Sequence, residues 1–433
     1  MERRHFLGAV GSITVAGCLK LESSSEETST SSRSSTERTP ATTVAQTNRE
    51  HTDDPEPTTG QPTGPEPVIE RWRTEIDGGL NASPLFEDGS LYVSGSPLVA
   101  LSSADGAKRW TNGDSRRLET DSKTVYSSHG RYLSAHSLDT GAVRWNRRFD
   151  PPTVPGDAEL PVTTVSGLHD VQVQDGSLYV AAIGGRYEES DDPRVVMEST
   201  TVTVLHQLSD ADGRTQWSVE VDGVLVGTIE TADEQLVMAT NKVGKETGPG
   251  TVRAHSEEDG SVLASKSFEK EINGLAVGKD TVYVAVRVDL DGYSGAGKIY
   301  ALDRTDLSER WQTPVYGGGV TALTAHDQTL YFYHVFDALV SMDANQQTRW
   351  TYKPPAGVTD SPVIVDERVY VPCAEGWLVR LRDEDGAEEW GFQSFGELLK
   401  PIVRGSDIYL ATWTGTVHAL RDQTDPFSAS ITD

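Results

Sequence analysis

A glycine followed four residues later by a tryptophan recurs along the chain: Gly106 and Trp110 in "DGAKRW", Gly141 and Trp145 in "TGAVRW", Gly213 and Trp217 in "DGRTQW". A repeat constrains the fold more tightly than any composition, because each unit is one small element that must bury its apolar face against the next. Runs ending in "LYV" or a close variant recur at Leu91, Val125, Leu178, Leu236, Val282, Leu330, Val369 and Ile408, which makes eight units. Each continues into a second run of the "LVAL", "YAL" or "VRL" type, then an Asp-Gly-like turn, then Trp110, Trp145, Trp217, Trp311, Trp350 or Trp390. The fourth unit departs from the rule, with Ala264 at the tryptophan position.

Short alternating runs at a spacing of about 45 residues predict four strands per unit, the pattern of a propeller blade and not of a helical repeat. A four-stranded sheet cannot bury both faces alone, so blades pack face to face, and each tryptophan is expected as a core peg between neighbours. The glycine tightens the turn before it by supplying positive φ. The last unit stops after "GTVHALRDQ" without a tryptophan strand, while "IERWRTEI" supplies an orphan one at Trp72. The expectation is an all-β, eight-bladed propeller over residues 68–425, its N- and C-terminal strands sharing the closing blade so that no sheet edge stays open.

The repeats resemble the pyrroloquinoline-quinone-type eight-bladed propellers, whose motif A-L-D-x-x-x-G-x-x-x-W appears here as "VALSSADGAKRW", "LVRLRDEDGAEEW" and, less closely, "YALDRTDLSERW". That resemblance implies an architecture shared by two kinds of protein, cofactor-dependent quinoprotein dehydrogenases and cofactor-free BamB-like assembly lipoproteins. The dehydrogenases hold the quinone over calcium beside a catalytic aspartate, and many set a disulfide of adjacent cysteines against the ring. The chain has two cysteines, Cys18 and Cys373, and no segment onto which those residues carry over. No enzyme activity, cofactor or metal is therefore expected; the alternatives are a quinone-dependent oxidoreductase and a sugar or small-ligand receptor.

The N-terminus speaks to location. "MERRHFLGAVGSITVAGC" has a twin arginine, Arg3 and Arg4, and an apolar run too short to span a bilayer. It resembles the twin-arginine signals of exported lipoproteins, ending in a lipobox whose Cys18 would carry the lipid. Residues 19–67 are Ser, Thr, Pro and acidic residues with few apolar side chains, read as a disordered tether reaching on the order of 40 Å. Residues 426–433 read as a tail. The expected location is the cell surface, lipid-anchored to the outer face of the cytoplasmic membrane, with a protein partner of unknown identity.

The formal net charge is −28, which argues against nucleic acid as a partner. The acidic excess, spread along the chain and opposed mostly by arginine, resembles the surfaces of halophilic archaeal proteins; solubility alone is the plain alternative.

Other motifs read as structure. "GYSGAGKI" (292–299) nearly spells a phosphate-binding loop, but Ile299 stands where Ser or Thr is required, so it reads as a glycine-rich hairpin loop. His136 and His255 share the repeat position of Leu101 and read as packed strand residues. The second-to-third-strand connections are short except in blades three, four and five, at 183–200, 240–250 and 287–297, and the long connection at 150–167 joins the same side. A partner is expected on that face, with Tyr187 and Tyr293 as aromatic anchors and Glu188, Glu189, Asp191 and Asp192 favouring a basic or metal-bearing surface.

Overall fold

The computed structural model describes residues 67–150, 165–187, 199–232, 234–242, 248–290, 293–315, 319–334 and 338–424. Among them, thirty-two strands from β1 (Val68–Glu75) to β32 (Thr416–Asp422) form eight four-stranded antiparallel sheets. Seven sheets take four consecutive strands each. The eighth has the order β1-β32-β31-β30, where β30 is Ile402–Arg404 and β31 is Asp407–Ala411, so the strand bearing Trp72 closes the ring as the outer strand of the last blade. Its register runs from Val68 opposite Asp422 to Glu75 opposite Thr416.

Burial follows from position in the blade. Second strands such as β3 (Ser90–Val93) are buried at every residue because both of their faces meet neighbouring blades, whereas fourth strands such as β9 (Val143–Arg148) alternate exposed and half-buried residues. The tryptophans sit on these fourth strands. Only Trp350 and Trp390 are fully buried, and Trp72, Trp110, Trp145, Trp217 and Trp311 are half-buried, because an outer strand has solvent along one edge. They are pegs at the rim of each interface and not in its centre.

Six of the seven pegs share one bond, while Trp390 donates instead to the Asp422 carboxylate at 3.3 Å. The indole N–H donates to a carbonyl of the next blade: Trp72 to Ser103 at 2.9 Å, Trp110 to Leu138 at 2.8 Å, Trp145 to Asp210 at 2.8 Å, Trp217 to Glu257 at 3.0 Å, Trp311 to Ala344 at 3.1 Å and Trp350 to Asp383 at 2.7 Å. Except at Trp311, whose partner turn carries Gln347 at that place, the ring then lies on the glycine three residues beyond that carbonyl. A methyl group on Gly106 would stand 2.5 Å from Cε3 of Trp72, and one on Gly141 would stand 2.5 Å from Cε3 of Trp110. The same overlap would occur at Gly213, Gly260 and Gly386. Within its own blade each tryptophan also meets the second-strand tyrosine, as Trp110 meets Tyr92 with ring centroids 5.8 Å apart.

Blade four lacks both members of that pair, carrying Val237 for the tyrosine and Ala264 for the tryptophan, and its neighbour compensates. Where blade five should offer glycine it offers Leu307, which keeps the left-handed turn at φ 56° and the same N–H bond back to the fourth preceding carbonyl, Asp303 at 2.8 Å. Leu307 is 2% exposed and packs in one cluster with Ala264 and Val237. The bulk has changed sides of the interface. Ala264→Trp alone should overpack and cost about 1–3 kcal/mol, and Leu307→Gly alone should open a cavity costing about 2–4 kcal/mol. The double variant should recover at least ~1 kcal/mol of their sum in chemical denaturation; strict additivity would contradict the exchange.

The long hairpins depart from the loop expectation. In blade three, β11 (Ser177–Tyr187) and β12 (Ser199–Ser209) pair along their whole length, and in blade five β19 (Thr281–Leu290) and β20 (Tyr293–Asp303) pair up to Leu290 opposite Tyr293. "GYSGAG" is therefore largely strand and not a hairpin loop: cross-strand bonds satisfy backbone groups that a loop would leave to water.

Candidate functional site

Two regions concentrate polar chemistry. The first is the axis. First strands of successive blades contact one another there. On the first strand of blade four, burial raises the Glu230 carboxyl, with the Thr228 hydroxyl and the Lys400 charge opposing. Asp170, on β10 (Val165–Gln174) of blade three, is 3% exposed and accepts the Ile229 N–H of blade four at 2.7 Å. Burial lifts its carboxyl to about 6, with Ile229 and Arg117 opposing. Glu119, on β6 (Arg117–Thr120) of blade two, is raised to about 8 by burial and then by the nearby Asp170 charge. His169 is pushed down to about 4 by burial and by Arg117. At neutral pH this end of the axis therefore holds a protonated Glu119, a largely ionised Asp170 and a neutral His169.

The second region is the face on which second-to-third connections and blade-to-blade connections open together, as the antiparallel order of every blade requires. Tyr187 closes β11 and Tyr293 opens β20, so both stand at hairpin ends on this face. Glu188, Glu189, Asp191 and Asp192 lie outside the described residues, as do Arg3, Arg4 and Cys18. On the far side of the same face, blades seven and eight hold a relay that the repeat pattern does not announce. His418 Nε2 lies 2.7 Å from Ser394 Oγ, and its Nδ1 lies 2.5 Å from Glu70 Oε1.

A serine, a histidine and a carboxylate in this order are the parts of a nucleophilic triad, but access runs the wrong way. Ser394 is 8% exposed, and the carboxylate at the other end has a side chain 42% exposed. A hydrolase needs the reverse, an open nucleophile and a buried acid. Since a carboxylate only accepts, Nδ1–H of His418 donates to Glu70, and Nε2 pairs with the Ser394 hydroxyl. The relay thus ties the end of blade seven to both closing strands. His136 does similar work in blade two, 2.8 Å from Ser127 Oγ and 4% exposed, and His255 is 1% exposed, so both are packed strand residues as expected.

Among the described residues no three His, Cys, Asp or Glu side chains form a group able to hold a metal. Cys373 is buried, with burial pushing its thiol up to about 12, so it offers no reactive thiolate.

The chain matches the family described as outer membrane protein assembly factor BamB over residues 69–150, 248–394 and 317–424. No match is found among curated proteins. Similar solved structures include a computationally designed protein, Ika8, at 13% identity and a TM-score of 0.62, covering 81% of this chain and 99% of that one. BamB from Moraxella catarrhalis is 14% identical with a TM-score of 0.56, covering 82% and 98%. A quinohemoprotein alcohol dehydrogenase from Comamonas testosteroni is 11% identical with a TM-score of 0.57, covering 82% and 76%. At such identities these structures share the fold, and both kinds of propeller are among them.

The raised axial carboxyls carry a pH signature. Because the folded chain holds protons that the unfolded chain releases, their stabilising contribution is whole below the ordinary carboxylate values of 4.5 and 3.8 and is lost as pH rises through about 6 for Asp170 and about 8 for Glu119. Glu119→Gln should therefore flatten the fall of Tm between about pH 5 and 8, by roughly 2 °C or more relative to wild type. Parallel Tm profiles for the two proteins would refute the assignment.

Proposed function

The chain belongs to the family described as outer membrane protein assembly factor BamB, and from that premise we propose that it is a non-catalytic scaffold that binds a protein partner at the cell surface. The observation that carries the proposal is the pair of lengthened hairpins in blades three and five. Strands β11, β12 and β20 reach eleven residues each, while the second and third strands of blade one are four and five. Paired backbone carries these hairpins out from the ring, and ordered hairpins on a rigid propeller supply a preformed surface. The export signal at Arg3 and Arg4, the lipobox Cys18 and the polar segment 19–67 support a lipid anchor outside the cytoplasmic membrane with the ring held off on a tether. The quinone-dependent alternative has similar folds in its favour, and against it stands that no group of three His, Cys, Asp or Glu able to hold a metal is found among the described residues.

The test is to shorten the hairpins of blades three, four and five to tight turns, confirm an unchanged fold by circular dichroism, and compare cross-linked pull-downs from native membranes. Loss of the wild-type partner is expected on trimming. Undiminished recovery would place the site elsewhere, and reduction of a dye with alcohols after quinone and calcium are added would favour the enzyme.

A further inference from the structure

Phe395 is 85% exposed and Trp413 is 48% exposed, the two most solvent-open aromatic rings outside blade two among the described residues. They are neighbours. Phe395 belongs to the connection from blade seven to blade eight and Trp413 to the second-to-third connection of blade eight, so both open on the face that carries the long hairpins. The Trp413 N–H donates to the Glu397 carbonyl at 3.2 Å, and Leu398 bridges to Thr412 beside it.

A phenylalanine left in water forgoes the gain of burial, and this one is not on a slack loop. On one side Ser394 is fastened twice, its N–H to the Gly376 carbonyl at 2.9 Å and its hydroxyl to His418 at 2.7 Å. On the other, Gly396 holds φ 95° in a space where a methyl would stand 3.0 Å from Thr414 Oγ1. The relay from Glu70 through His418 to Ser394 thus fastens the backbone that carries this exposed ring. Fixing that backbone in advance lowers the entropy that a partner must overcome.

Three exposed acidic residues have their backbone beside the pair. Glu397 is two residues from Phe395, Glu375 offers its carbonyl to Gln393 at 3.1 Å, and Asp77 precedes Gly78 and Gly79, the latter seated against the Trp413 carbonyl. Aromatic faces rimmed by carboxylates favour guanidinium groups, which stack on the ring while pairing with the acids. We propose that Phe395 and Trp413 anchor an extended, arginine-bearing segment of the protein partner. The proposal rests on the scaffold reading and adds the partner's chemistry and a second contact across the face from the hairpins.

The probe is a short fluorescent peptide in which Arg alternates with Gly and Ser, with Lys and Glu versions for comparison. Titration in about 1 M KCl, where screening shortens the reach of charge to about 3 Å, removes the general attraction of an acidic chain for cations. The Arg peptide should bind wild type about tenfold more tightly than the Phe395→Ala/Trp413→Ala double variant, with Phe395→Tyr retaining wild-type binding and the Glu peptide not binding. Equal binding by wild type and the double variant, with both folded by circular dichroism, overturns the proposal, as does a wild-type dimer lost in the double variant. The membrane pull-down separates the two levels. A partner lost on hairpin trimming but fully recovered by the double variant overturns the aromatic anchor and leaves the scaffold standing; no partner with wild type overturns the scaffold.

Discussion

The structure depends on one contact made repeatedly, an indole laid on the glycine of the next blade. Its N–H bond to the carbonyl three residues before that glycine fixes where along the neighbouring turn the ring can sit, and the absent side chain fixes how closely it can approach. Together they set spacing and register between sheets that share no backbone ladder. The contact joins one blade to the next at Gly106, Gly141, Gly213, Gly260 and Gly386, and at the first of these it closes the ring, where β1 crosses to blade eight and brings Trp72 to Gly106. Closure removes the open edges that a stack of sheets would expose.

Much of this was legible in the sequence. The eight runs, the orphan tryptophan and the short final unit together specify a closed ring. In sequence the glycine shows only as a turn residue, and its second role is hidden because the group it accommodates belongs to a different repeat. The same blindness covers Leu307: in sequence it is an irregular turn, and only the pairing of blade four with blade five shows it supplying the bulk that Ala264 lacks. Asp170 and Glu119 were invisible for another reason. First strands carry no repeating signature, and a carboxylate becomes unusual only when the ring gathers such strands around an axis.

The face was anticipated from connection lengths, and its lengthened hairpins stand where that reasoning put them. Phe395 and Trp413 were not singled out, since each lies in a connection of ordinary length and one exposed aromatic in a sequence looks like any other. What distinguishes Phe395 is a backbone fastened through Ser394 to His418 and Glu70, a link between blade seven and the closing strands. Closure and presentation therefore share residues.

The docking contact itself can be isolated by comparing two glycines with similar backbones. Gly141 has φ 69° and lies under Trp110, whereas Gly130 has φ 57° with nothing within 4 Å of a methyl at that position. Alanine at either site bears the left-handed strain of about 1 kcal/mol, and only alanine at Gly141 also displaces the ring. Equilibrium denaturation should show Gly141→Ala costing at least ~1–3 kcal/mol more than Gly130→Ala, with the excess vanishing in a Trp110→Ala background. Equal losses at the two sites, or an excess that survives removal of the indole, would contradict the account.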